Sequence, residues 1–111
     1  MKAKSVQSFE KEVKRLARKY PSLSKDLEKL IDILEIEPFT GTPLGRNCYK
    51  IRLAIASKSR GKSGGGRVVT CVKIVDDIVY LLTIYDKSEK EDLADKELGE
   101  LLKAAGLGGD K

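Results

Sequence analysis

The sequence predicts an α+β fold: a small antiparallel-rich β-sheet packed on an N-terminal helical hairpin, with one further helix at the C-terminus. Three patterns carry that expectation. Two stretches ahead of Pro38 place apolar residues at helical spacing, three runs between Cys48 and Tyr85 have strand character, and the chain after Ser88 returns to the helical period.

In SFEKEVKRLARKY, Phe9, Val13, Leu16 and Tyr20 share one stripe and Pro21 ends it, so a first amphipathic helix is expected. SLSKDLEKLIDILEIEP repeats the pattern through Leu23, Leu27, Leu30, Ile31 and Leu34, with Ser22 as N-cap and Pro38 as terminator. The short link between the two predicts an antiparallel pair. Ahead of them, AKSV reads as a short strand. FTGTPLGRN is turn-rich and reads as an exit from the helices.

CYKIRLAI alternates strictly, with Tyr49, Ile51, Leu53 and Ile55 on one face and Cys48, Lys50, Arg52 and Ala54 on the other. A half-buried strand then places the first set in the core and displays two cations opposite. RVVTCVKIV and IVYLLTIY give two more strands, joined by a tight turn at Asp76 and Asp77. A loop of Asp76, Asp77 and Ile78 sets Arg67 opposite Lys87 and Val69 opposite Tyr85, and pairs Thr70, Val72 and Ile74 with Ile84, Leu82 and Tyr80. Shortening that loop by one residue flips one strand and separates Arg67 from Lys87. SEKEDLADKELGELLKAAG opens with a capping box from Ser88 to Glu91 and supplies Leu98, Leu101 and Leu102 as a stripe. The GLGGDK tail, from about residue 106 to 111, is expected to fray.

At 111 residues the chain is expected to form one domain, 1–111, around a single aliphatic core, since Trp is absent and aromatics are only 5%. No stretch approaches a membrane span and the N-terminus lacks a secretory core, so a cytoplasmic protein is expected. Cys48 and Cys71 have no metal-type spacing and read as buried free thiols. Histidine is absent, which disfavours zinc chemistry and a Ser-His nucleophile; no metal and no cofactor is expected.

Charge is segregated. Arg46, Lys50, Arg52, Lys58, Arg60, Lys62, Arg67 and Lys73 follow one another with no acidic residue between them, whereas Asp86 to Glu100 holds seven acidic residues against three basic. Such asymmetry points to a polyanion-facing surface. Within it, RGKSGGGR carries the Gly-Lys-Ser of a phosphate-binding loop, but the first glycine position is Ala56 and a strand follows instead of a helix. A flexible inter-strand connector explains the glycines and leaves the cations unexplained. If the strands share a sheet, Lys50, Arg52, Arg67 and Lys87 converge with Tyr85 on one face, and crowded cations favour an anion such as phosphate.

NCYKIRL, the GGGRVV strand, the VDDIVYLLTIYDKSEKEDL hairpin and the last helix resemble, in that order, the RelE/ParE superfamily of toxins from bacterial toxin–antitoxin pairs, with RGKSGG and YLLTIYDKSEKEDL similar to its HigB-like branch. The resemblance implies the RelE-like, microbial-ribonuclease-type fold, a cognate antitoxin, and a ribosome-dependent endonuclease acting on mRNA. It matches Lys50 and Arg52 to the paired catalytic cations, Arg67 to the arginine opening the next strand and Lys87 to a basic position after the last strand. Leu93 stands where RelE has a tyrosine, and Tyr85 is the candidate substitute.

RNA carries its own nucleophile, so such an enzyme needs only to take the 2′ proton, stabilise the phosphorane and protonate the leaving oxygen. Arg67, assisted by Arg52, suits the phosphorane; Lys50 is the candidate base, with Lys87 or Tyr85 as acid or electrostatic aid. Lys58, Arg60, Lys62 and Lys73 are candidates for holding the RNA backbone. A ParE-like inhibitor of DNA gyrase and a non-enzymatic RNA-binding module are the alternatives. The implied assembly is a monomer or a small toxin–antitoxin complex.

Overall fold

The structure is a computed structural model that describes residues 1–58 and 65–108. Lys2–Ser5 forms strand β1, Gln7–Ala17 helix α1, Leu23–Ile36 helix α2, Thr42–Gly45 strand β2, Cys48–Leu53 strand β3, Gly66–Lys73 strand β4, Ile78–Asp86 strand β5 and Asp95–Ala104 helix α3. The strands form one sheet in the order β1-β5-β4-β3-β2, antiparallel except for the parallel β1–β5 pair. Among the described residues no helix is long and apolar enough to cross a membrane.

The sheet is buried on both faces. Phe9 and Leu16 of α1 and Leu23, Leu27, Leu30 and Leu34 of α2 pack with Ile51, Leu53, Val68, Val72, Val79, Leu81 and Ile84 on one side. On the other, Leu98 and Leu102 of α3 close over Cys48, Val69, Cys71, Leu82 and Tyr85. The expectation of one polar face is thereby corrected: half of that face is a second core, because the helical period after residue 94 returns Leu98 and Leu102 to it.

Three local expectations change for identifiable reasons. FTGTPLGRN contains a strand: β2 pairs with β3 through a turn in which Arg46 and Asn47 both take positive φ, a twist that suits a tight hairpin. The helix after β5 starts at Asp95, and Ser88, expected to open it, instead donates from its backbone N and its Oγ to Asp86 Oδ1. Gly106 to Gly108, expected to fray, tie back onto α3, with the Leu107 and Gly108 amides donating to the Leu102 carbonyl.

The β4–β5 register differs most. A 3-10 turn at Ile74–Asp76 followed by left-handed Asp77 makes the connection longer than three residues. Lys73 therefore pairs with Ile78, and a β-bulge between Val69 and Thr70 shifts the register so that Arg67 lies opposite Tyr85 and Val69 opposite Thr83. The expected Arg67–Lys87 and Val69–Tyr85 pairs do not form. Lys87 lies beyond the strand, its backbone N donating to the Gly65 carbonyl at 3.0 Å.

Gly65, where the glycine-rich loop re-enters the sheet, has φ +44°, and a Cβ there would stand 2.4 Å from the Leu53 carbonyl oxygen. No side chain fits so close to backbone. Gly65→Ala is expected to cost about 2 kcal/mol or more, read as a lowered urea midpoint at unchanged slope.

Candidate anion-binding site

The site is built from cross-strand rows on the α3 side of the sheet. Arg52 on β3 lies opposite Arg67 on β4, which lies opposite Tyr85 on β5; Lys50, two residues before Arg52, projects from the same face. The Val72 amide donates to the Asn47 carbonyl at 2.8 Å, so those residues form a hydrogen-bonded pair. Alternation along the ladder then makes Cys48–Cys71, Lys50–Val69 and Arg52–Arg67 the closer, non-hydrogen-bonded pairs, with Cα atoms about 4.5 Å apart. Like charges set directly opposite each other in a sheet repel, and a nearby negative charge offsets that repulsion.

Arg67 is half-buried, and its Nη1 donates to the Gly66 carbonyl at 3.0 Å, which lays the guanidinium along the strand. Tyr85 is buried, yet it borders a cleft of about 610 Å³ between α1 and α3 whose walls carry Lys11, Arg15 and Lys90 together with Glu12, Glu89, Glu97 and Glu100, so that its charge is mixed. Burial first, and then the nearby Asp92 carboxylate, push the phenol above its ordinary pKa, with Arg67 opposing. The hydroxyl thus keeps its proton at neutral pH and is able to donate it.

Two carboxylates enter the site that sequence reasoning did not single out. Asp92, in the segment between β5 and α3, accepts from Lys50 Nζ at 2.9 Å, lies 3.5 Å from the Tyr85 hydroxyl, and is fixed by the Leu93 amide at 2.8 Å. The crowding of cations expected around Lys50 is relieved there by this carboxylate. Its only trace in the sequence is the acidic run after Asp86, which shows charge but no geometry.

Asp86, fully buried between Tyr85 and Lys87, accepts from Tyr20 Oη, from Lys58 Nζ at 2.8 Å, and from the Ser88 amide and hydroxyl. Lys58 also donates to the Gly65 carbonyl at 3.1 Å. These bonds clasp the two stems of the glycine-rich loop to the end of β5. The structure turns the ammonium of Lys58, expected among the RNA-holding cations, inward onto Asp86, its side chain only 8% exposed.

Lys87 Nζ donates to the Glu91 carbonyl at 2.8 Å, beside Asp92 and at the Tyr85 end of the row. Lys73 sits at the opposite end of β4 from Arg67, six residues or about 20 Å away along the strand, near Arg46 and Lys103. Arg60 and Lys62 lie outside the described residues. Cys48 and Cys71 are both buried and free, directly opposite each other, as the sequence suggested. The contact with Cys71, and then burial, push the Cys48 thiol up.

A five-stranded mixed sheet packed on by helices on both faces, with Arg52, Arg67 and Tyr85 in one cross-strand row, defines a small α+β protein. The family model of the RelE toxin of the RelE/RelB toxin–antitoxin system matches residues 8–108, and the chain belongs to that family. It is the toxin of a toxin–antitoxin system, with an antitoxin as partner. The E. coli toxin RelE, solved in the free state with two arginine-to-alanine substitutions, shares the fold at a TM-score of 0.52 and 22% identity, over 93% of this chain and 95% of that one. No curated protein sequence matches the chain.

Proposed function

We propose that this toxin is a ribosome-dependent endoribonuclease that cleaves mRNA by metal-independent attack of the RNA's own 2′-hydroxyl and so inhibits translation. The observation that carries the reading is the Arg52–Arg67–Tyr85 row, flanked by Lys50 and Lys87. In the reaction the 2′-oxygen bonds to phosphorus as its proton passes to a base, for which Lys50 is the candidate. The P–O5′ bond breaks and the leaving oxygen takes a proton from Tyr85. Arg67 and Arg52 hold the phosphorane oxygens, with charge and geometry set before substrate arrives. Lys87 adds positive charge near the leaving group.

Adding the purified chain to a reconstituted translation reaction is expected to give discrete cuts in ribosome-bound mRNA, each leaving a 2′,3′-cyclic phosphate on the upstream fragment. Intact mRNA, together with gyrase-dependent DNA breaks in cells expressing the chain, would overturn the reading in favour of a gyrase inhibitor.

A further inference from the structure

We infer that Asp92 is an internal competitor for the substrate phosphate, a residue that sets how readily the site accepts RNA. The inference deepens the nuclease reading and rests on it. A single oxygen, Asp92 Oδ1, faces Lys50 Nζ at 2.9 Å and the Tyr85 hydroxyl at 3.5 Å. A phosphate oxygen reaching Lys50 and the Tyr85 hydroxyl would use those same donors, so carboxylate and phosphate claim one position. Both carry negative charge, and both cannot occupy it.

The chain holds Asp92 there from both sides. Leu93 N fixes the carboxylate at 2.8 Å, Lys87 Nζ binds the Glu91 carbonyl at 2.8 Å, and the Lys90–Glu97 ion pair fastens the segment to α3, whose first residue, Asp95, pairs in turn with Arg46 of the β2–β3 turn. The contact with Lys50 is nevertheless a light one. Lys50 is 25% and Asp92 63% exposed in their side chains, and ion pairs so open to water are individually weak. A multiply bonded RNA phosphate displaces the carboxylate by rotation of one side chain, whereas an isolated, weakly placed anion does not. The residue thus filters polyanions at a basic surface that otherwise takes any of them.

The test measures binding of a 2′-O-methylated RNA hexanucleotide, which lacks the nucleophile, to the full chain and to Asp92→Asn, alongside Glu91→Gln as a charge control on the same acidic segment. Asp92→Asn is expected to bind about 3- to 10-fold more tightly at low salt, with the gain shrinking as salt rises, and Glu91→Gln to change affinity less than about 2-fold. Unchanged or weaker binding by Asp92→Asn, or an equal gain in Glu91→Gln, overturns the inference while the nuclease reading stands. So does absence of oligonucleotide binding by either protein when mRNA is still cut; absence of both binding and cleavage overturns both.

Discussion

Arg67→Ala is expected to lower ribosome-dependent mRNA cleavage by about 10²- to 10³-fold and to abolish growth arrest, with the fold retained. The phosphorane carries more negative charge than the bound diester, and a guanidinium already in place gains strength as that charge develops. Arg67 is the central residue of its row, opposite Arg52 on one side and Tyr85 on the other. On the proposed mechanism its loss therefore removes the donor to the phosphorane oxygens that stands between its neighbours. The β4 backbone ladder does not depend on the side chain, so far-UV circular dichroism and Tm should stay near wild type. Arg67→Lys, which keeps the charge and loses the planar fork, should fall between the two. A folded Arg67→Ala protein that cuts at the wild-type rate would sink the assignment.

Asp86→Asn is expected to be the most destabilising single change, at about 3–5 kcal/mol, because it leaves the Lys58 ammonium buried without its counter-charge. Tyr20 and Ser88 lose an ionised acceptor at the same time. Replacing both partners, as Asp86→Asn with Lys58→Met, should recover part of the loss, and chemical denaturation of the three variants measures it. Burial alone would raise the Asp86 pKa, but the hydrogen bonds from Lys58, Tyr20 and Ser88 outweigh it and hold the carboxyl well below the usual range. A folded-state pKa depressed in this way contributes stability above the unfolded value of about 3.9. That contribution is lost as pH falls below about 4 towards the folded value, so wild-type stability should drop steeply there. The Asp86→Asn profile should lack that part of the drop. Acid profiles of equal steepness would show that Asp86 is not the titrating group.

Much of the fold was legible because one face of each element is apolar. The stripes in α1 and α2 and the alternation in β3 need only the 3.6 and 2.0 residue periods. β2 escaped because Thr42, Pro43, Leu44 and Gly45 have no apolar alternation, and an edge strand does not require it. The start of α3 was placed too early because Ser88 and Glu91 match a capping box, whereas Ser88 is taken by the buried Asp86.

The same division runs through the site. Strand alternation and family resemblance offered Lys50, Arg52, Arg67, Tyr85 and Lys87 as candidates, since each belongs to a run whose residue types carry the signal. Their partners were not legible. Whether Arg67 meets Lys87 or Tyr85 depends on a turn length and a bulge, and neither is written in the periodicity. Lys58 and Arg67 are both cations flanking one glycine loop, yet one enters a buried ion pair with Asp86 and the other lies opposite Arg52 on the α3 side of the sheet.

The sequence by itself determined the α+β class and the core facing α1 and α2, because these follow from local period and composition; the second core under α3 came only with the tertiary structure. Tertiary structure alone also decided the register of the Arg52–Arg67–Tyr85 row, the inward turn of Lys58 and the arrival of Asp92 at Lys50. Those depend on contacts between residues 28 and 42 positions apart, whose free energy no local pattern records.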